Sequence, residues 1–127
     1  MKTKEDVLAD LPQFYGTEHY HKFSVLFDRF VLTDGAKYVA ESCGAYWLMD
    51  AIASHYGSYK NEDFVVVVLS KNSTYHGGWT LHIVDDVPSN RTLAKQDVEF
   101  SDFPLDEITL YVLPQDDMRV ILLPSEY

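Results

Sequence analysis

The sequence has little of what an extracellular or membrane-spanning protein needs. Its one cysteine, Cys43, cannot form an internal disulfide, which favours a reducing compartment. The longest purely apolar run, residues 64–69, is far shorter than the roughly 20 residues that cross a bilayer. The first residues lack the apolar core of a signal peptide. We therefore expect a cytoplasmic protein that does not associate with membranes.

Familiar catalytic signatures are also missing. The chain contains no P-loop, no G-x-G-x-x-G segment, no C-x-x-C pair and no G-x-S-x-G elbow. It has no internal repeat, low-complexity tract or linker, and 127 residues suit one domain. We predict a single domain over 1–127 without a cofactor or metal. These absences disfavour an enzyme without excluding one.

Basic residues are few. Ten Lys and Arg stand against 20 Asp and Glu, which gives a formal charge of −10. Residues 85–127 alone hold ten of the acids and only three bases. Direct binding to nucleic acid is disfavoured, because affinity for phosphate comes from clustered Lys and Arg. The favoured partner is the basic protein surface of a nucleic-acid-binding complex, and the oligomeric state stays open.

Helical spacing dominates the first half of the chain. We predict short N-terminal helices, one over 4–11 and another that begins at Thr17 as N-cap. Residues 21–33 fit a helical start with a strand end. The following Asp34-Gly35 indicates a tight hairpin, with 36–40 as the return strand.

The principal helix is predicted over 44–56, GAYWLMDAIASHY. Its apolar face recurs at helical spacing and consists of Ala45, Leu48, Met49, Ile52 and Tyr56. Gly57 is well placed to end the helix.

Strand periodicity begins after residue 62. FVVVVLS (64–70) is apolar on both faces and predicts a central strand. Further strands are predicted over 79–85, 96–101, 108–113 and 119–123, with Phe100 pointing inward in the second of these. The fold class that follows is α+β, a mainly antiparallel sheet of about five to six strands backed by the helix 44–56.

Acidic residues in the last third suggest a binding surface. On a strand, Asp97 and Glu99 point the same way about 6.8 Å apart, a spacing similar to that of neighbouring phosphates. Further acids follow closely along the chain. The candidate binding residues are Asp97, Glu99, Asp102, Asp106, Glu107, Asp116 and Asp117. The plain alternative is a solvated acidic surface that serves solubility.

Two other readings stay open. Cys43 at the predicted start of a helix is a position that activates a thiol, and with His76 or His82 it would make a small thiol- or histidine-assisted hydrolase. A structural or regulatory interaction protein would instead use aromatic anchors. The candidate anchors are Tyr15, Tyr20, Tyr75 and Trp79.

Three segments carry a further pattern. LPQFYGTEHY (11–20) contains F-x-G-T-E-x-Y, residues 33–56 contain T-D-G followed by G-A-Y-W-L-x-D, and residues 99–127 contain E-F-x-D-F-P-L-x-E and end in P-S-E-Y. In these segments the chain resembles a family of small bacterial and phage proteins with no assigned function. The match is weaker over 58–98. The resemblance implies one domain of family-typical size and supplies no catalytic residues.

Families of this kind occur on phages, plasmids and genomic islands. By analogy, the resemblance implies a mobile-element-encoded inhibitor of a host defence complex, of the anti-CRISPR or antirestriction type. Together with the charge distribution, it leads to the expectation that an acidic face competes with nucleic acid for a basic groove.

Overall fold

The computed structural model describes residues 2–72, 78–85 and 91–127. Within this part of the chain, seven strands form one sheet in the order β1-β2-β7-β6-β3-β4-β5. The strands are β1 His21–Lys22, β2 Phe30–Leu32, β3 Val65–Lys71, β4 Trp79–Asp85, β5 Thr92–Val98, β6 Glu107–Gln115 and β7 Met118–Leu122. All neighbours pair antiparallel except β2 and β7, which are parallel.

Four α-helices and two short 3-10 turns complete the described structure. The helices are α1 Lys4–Asp10, α2 Asp34–Ser42, α3 Tyr46–Ser54 and α4 Tyr56–Tyr59, and the 3-10 turns are Leu11–Gln13 and Pro124–Glu126. None of the helices in the described ranges is both long and apolar enough to cross a bilayer.

The central strand β3 shows how the sheet packs against the helices. Val65, Val67 and Leu69 are fully buried and join the helices in one core. The alternate residues Val66 and Val68 lie on the outer face of the sheet and are half-buried. Because β3 pairs with β4 on one side and β6 on the other, both of its faces favour apolar residues. The predicted central strand is confirmed.

The α+β class with a mostly antiparallel sheet is confirmed, but two details differ. The sheet has seven strands, and β2 coincides with the strand end predicted within 21–33. The helical start predicted there is wrong, because His21 and Lys22 form β1, which at two residues is too short to produce a periodic pattern. The predicted helix over 44–56 is not principal. It is divided at His55 into α3 and α4, runs past Gly57 to Tyr59, and is matched in length by α2.

The predicted hairpin at Asp34-Gly35 is wrong. Thr33 is the N-cap of α2, and its hydroxyl oxygen accepts the backbone N–H of Ala36 at 3.2 Å. Residues 36–40 therefore form a helix instead of a return strand. The segment Thr-Asp-Gly satisfies both a turn rule and a capping rule, and the parallel pairing of β2 with β7 decides between them.

Two further predictions need correction. Thr17 does not start a helix; its side-chain oxygen accepts the backbone N–H of Asp34 at 2.9 Å. Phe100 does not point inward but is 71% exposed. Strand β5 begins earlier than predicted and ends at Val98, so the in-and-out alternation no longer applies two residues later.

Candidate functional site: an acidic and aromatic end of the sheet

Five of the seven candidate carboxylates lie at one end of the sheet. Ser70 of β3 is paired with Glu107 of β6 on one side and with Thr80 of β4 on the other, and Thr80 is paired with Asp97 of β5. Directly paired residues project from the same face, so Glu107 and Asp97 bracket one row. Three strand spacings of about 4.8 Å separate their backbones by about 14 Å.

The other three carboxylates follow in the segment that leaves β5 and enters β6. All five side chains are exposed. We call this group the acidic end: Asp97, Glu99, Asp102, Asp106 and Glu107.

The segment between β5 and β6 is anchored by the core. The indole N–H of buried Trp79 donates to the Ser101 carbonyl at 3.1 Å, and the Ser101 hydroxyl oxygen accepts the Phe103 backbone N–H at 3.1 Å. Trp79 also packs edge-on against buried Phe103, with 5.6 Å between ring centroids. Phe100 and Asp102, on either side of the anchored Ser101, are therefore held in solvent.

Phe100 borders an open cleft of about 420 Å³ that is also lined by Trp47, Val98 and Asp102. Trp47 is half-buried in the first turn of α3. The cleft combines two aromatic surfaces with a carboxylate, which suits a cationic side chain. We call it the Phe100 cleft.

From the sequence alone, neither Trp47 nor Phe100 is assigned to a binding site. Trp47 falls off the apolar stripe of its helix, which was one available signal of partial exposure. Phe100 stands between Glu99 and Asp102, a setting that is more polar than a core position usually is. The polar setting of Phe100 was overruled in the prediction by the alternation of apolar and polar residues over 96–101, which placed Phe100 inward.

Asp106 differs from the rest of the acidic end because it is already paired. Its two carboxylate oxygens accept hydrogen bonds from the ammonium groups of Lys4 and Lys71, each at 3.0 Å. The bond from Lys4, followed by that from Lys71, lowers the pKa of Asp106. These pairs are exposed and add little stability, but they neutralise this carboxylate.

The remaining four acids of this group make no ion pair among the described residues. Among the described residues, none of them pairs with a base of the last third. Arg91 pairs with Glu62 at 3.3 Å, and Arg119 donates to the backbone carbonyls of Lys60 and Glu62. Lys95 lies on the same face as Asp97, about 6.8 Å along β5.

Asp116 and Asp117 are separated from the acidic end. They form the turn between β6 and β7, and the nine residues of β6 place that turn about 27 Å from Glu107. Asp116 adopts a left-handed conformation with φ 55°, which Asp tolerates better than most residues. The structure therefore does not gather all seven predicted residues on one surface.

The structure argues against Cys43 as a nucleophile. Cys43 is buried, and this burial raises the pKa of its thiol to about 11. It caps the C-terminus of α2, and the negative end of a helix dipole disfavours a thiolate. His82 lies on the outer face of the sheet, where its Nε2 is 2.8 Å from the Thr92 hydroxyl oxygen, whereas Cys43 belongs to the core. His76 lies outside the described residues.

The predicted aromatic anchors divide into two groups. Tyr15 and Tyr20 are exposed, at 83% and 49%, as a surface anchor requires. Trp79 is only 1% exposed and belongs to the core, so its assignment as an anchor is wrong. Tyr75 lies outside the described residues.

Another group of polar residues surrounds the N-terminus of α2. Glu126 accepts hydrogen bonds from the Thr33 hydroxyl at 2.6 Å and from the backbone N–H groups of Gly35 and Leu123, both at 3.0 Å. A Cβ atom on Gly35 would lie 2.5 Å from Glu126 Oε1. The absence of a side chain at Gly35 thus allows the C-terminal segment to cap the helix.

Asp34 occupies the other side of the same helix start. Its carboxylate accepts the Glu18 backbone N–H at 3.0 Å, and His21 Nε2 lies 2.8 Å from it. The bond from the Glu18 backbone, followed by the one to His21, lowers the pKa of Asp34. The segments around Thr17, Thr33 and Glu126 are therefore joined by hydrogen bonds at the N-terminus of α2. We call Asp34 and Glu126 with these partners the capping cluster.

Comparison with known proteins gives a family and a shared fold. A family model described as a family of unknown function, DUF6876, matches residues 5–127. No match is found among the curated proteins. A protein of unknown function from Enterococcus faecalis, known from its crystal structure, is similar with a TM-score of 0.53 and 19% sequence identity. The match covers 84% of this chain and 98% of that chain. At this identity the similarity shows the fold alone. The match over nearly the whole length confirms the predicted membership: the chain belongs to the family of unknown function DUF6876.

Proposed function

We propose that this protein is a non-enzymatic binding module that presents its acidic end to a basic protein surface. In its specific form, the proposal is a mobile-element-encoded inhibitor of a nucleic-acid-handling host defence complex, of the anti-CRISPR or antirestriction type. The observation that carries it is the row bracketed by Asp97 and Glu107, in which exposed carboxylates make no ion pair among the described residues.

The exposed carboxylates are expected to attract a basic partner and to compete with nucleic acid for it. Carboxylates spaced along one end of a sheet attract the Lys and Arg residues that line a nucleic-acid groove. They occupy the same cations that phosphates would, so bound nucleic acid is excluded. Since the side chains are exposed, their attraction is screened beyond about 8 Å at physiological ionic strength. Binding should therefore weaken as salt is added.

Phe100 supplies what charge alone lacks. Exposed charges accelerate association but contribute modest affinity. A large aromatic side chain that is 71% exposed can bury apolar surface in a partner and act as an anchor. The Phe100 cleft lies on the helix side of the sheet, next to Trp47, whereas the row from Asp97 to Glu107 lies on the opposite face. A partner that binds both would therefore wrap around this end of the sheet.

The test is an assay of phage plating on bacteria that carry a CRISPR or a restriction system. Wild-type protein is compared with the charge reversal Asp97→Lys/Glu99→Lys. The matched control is Asp28→Lys/Asp117→Lys, which makes the same change in net charge at exposed positions outside the acidic end. We expect wild type and control to restore plating of the restricted phage, and the reversal at 97 and 99 to lose that effect.

Two results would contradict the proposal. If wild-type protein restores plating against none of the systems tested, the anti-defence role is wrong. If the reversal at 97 and 99 inhibits as well as the control does, the acidic end is not the contact surface.

A further inference from the structure

We propose that the Phe100 cleft binds an arginine side chain of the partner, with the guanidinium group stacked on the ring of Phe100 and paired with Asp102. The inference rests on the proposed function, since it takes the partner to be a basic protein. It adds the identity of the side chain that is recognised and the position at which recognition occurs.

The shape of the cleft supports an inserted side chain. Its volume is about 420 Å³, and Val98, Trp47 and Phe100 supply its apolar lining. In the ring contacts of the described residues, none joins Phe100 to Trp47. The two rings thus do not fill the space by packing on each other, as Trp79 and Phe103 do.

The backbone segments that carry the walls of the cleft are tied to the rest of the fold. Next to Phe100, Ser101 is fixed by the indole of Trp79 at 3.1 Å. On the other side, His55 at the end of α3 lies 2.8 Å from the Gln96 side chain of β5, which ties the helix that carries Trp47 to the strand that precedes Phe100. A preorganised site loses little conformational entropy on binding.

The chemistry of the cleft favours arginine over lysine. A guanidinium group is planar, stacks on aromatic faces and is weakly hydrated, whereas an ammonium group is compact and strongly hydrated. Asp102 lines the cleft and can accept two parallel hydrogen bonds from a guanidinium. Nearby, Lys4 and Lys71 are bound to Asp106, so both of these cations are already engaged.

The experiment compares two peptides of equal length and charge, nona-arginine and nona-lysine. Binding at low salt is measured by calorimetry and by tryptophan fluorescence, to which Trp47 and Trp79 both contribute. We expect wild-type protein to bind nona-arginine about two- to five-fold more tightly, the range that corresponds to one exposed cation–aromatic contact. Phe100→Leu should abolish the preference, and Trp47→Phe should remove the fluorescence response. Tyr15→Leu, which alters an exposed aromatic residue outside the cleft, should change neither.

The outcomes separate the cleft from the acidic end. Three results would each contradict the proposed arginine site. They are equal affinities for both peptides in wild type, no binding to wild type, and a preference for arginine that survives Phe100→Leu. Asp97→Lys/Glu99→Lys should lower the affinity for both peptides by the same factor, so the ratio of the two affinities stays the same. If that reversal weakens neither peptide while the preference for arginine persists, the cleft stands and the electrostatic basis of the proposed function fails. Urea unfolding of each variant verifies that it is folded.

Discussion

Two groups of carboxylates in this protein resemble each other in composition and differ in what surrounds them. In the capping cluster, Glu126 accepts three hydrogen bonds and Asp34 binds the Glu18 backbone and His21. Within the described part of the acidic end, Asp97 accepts one long bond of 3.4 Å from the Thr80 hydroxyl, and Glu99 and Asp102 make no ion pair.

The comparison teaches that a count of acidic residues says little about a binding surface. A carboxylate whose oxygens are satisfied within the fold contributes to stability and has little left to offer a partner. A carboxylate that faces water contributes little stability and retains its full capacity to bind. Substitutions in the two groups should therefore have opposite consequences for folding and for binding.

The largest effect is expected for Glu126→Ala. The change removes the acceptor of two backbone N–H groups and leaves the Thr33 hydroxyl with the Ile121 carbonyl, at 3.4 Å, as its acceptor. A part-buried donor that loses its acceptor carries the full cost of desolvation. We expect the free energy of unfolding to fall by about 2–3 kcal/mol, measured by urea denaturation. Glu99→Ala is the matched change in the acidic end and should cost under about 0.5 kcal/mol. Equal costs for the two would remove the distinction between the groups.

A smaller effect is expected for Gly35→Ala. The new Cβ would lie 2.5 Å from Glu126 Oε1 and 2.6 Å from Leu123 Cδ1, so the C-terminal segment must shift. The cost of about 1–3 kcal/mol for overpacking exceeds the gain of up to about 1 kcal/mol that Ala brings to a helix. Gly57→Ala is the control, because the space around Gly57 is open, and it should be neutral or stabilising. Glu126→Ala should reduce the cost of Gly35→Ala, and strict additivity in a double-mutant cycle would show that the two residues are not coupled.

The dependence of stability on pH sharpens the same contrast. Hydrogen bonds lower the pKa of Asp34 in the folded state, so the unfolded chain takes up the proton first as the pH falls. The stabilisation by Asp34 is then present above its ordinary pKa of about 3.9 and is lost as the pH falls through the lower folded value. In urea melts between pH 5 and pH 2, Asp34→Asn should lose stability less steeply than wild type. An acid limb with the wild-type slope in this variant would mean that Asp34 is not one of the groups responsible.

The smallest effect on stability is expected for the charge reversal in the acidic end. Asp97→Lys/Glu99→Lys alters two exposed side chains that form no ion pair with any residue the structure describes. Such changes usually alter the free energy of unfolding by less than about 0.5 kcal/mol. Reduced repulsion among the acids offsets the loss of the 3.4 Å bond from Thr80. Thermal unfolding should give nearly the wild-type Tm. A loss of several kcal/mol would show that these carboxylates belong to the fold, and any loss of binding by this variant would then need another cause.

Part of the fold was predictable because its determinants are local. The run of valines in β3 and the alternation from Trp79 to Asp85 identify strands from a few neighbouring residues. The buried positions Leu48, Met49 and Ile52 of α3 follow from helical spacing in the same way. These patterns reflect the periodicity of each element and need no knowledge of its neighbours.

The errors occurred where a distant segment decides the outcome. Asp34-Gly35 has the residues of a hairpin turn, yet the pairing of β2 with β7 excludes the hairpin. Hydrogen bonds to Glu126, at the far end of the chain, and to Thr17, in an earlier loop, then stabilise a helix start. Phe100 is exposed because β5 ends at Val98. The candidate site was partly predictable for the same reason: Asp97 and Glu99 are neighbours in sequence, whereas the distance of Asp116 from them depends on the length and pairing of β6.

The sequence by itself determined the acidic excess, the family and the helical and strand periodicities that predict an α+β fold. Each of these depends on composition or on residues that are close together in the sequence. Only the tertiary structure decided which carboxylates are satisfied within the fold and which face solvent next to Phe100. Hydrogen bonds and ion pairs form between groups that are close in space, and Gly35 and Glu126 or Lys4 and Asp106 become neighbours only when the chain has folded.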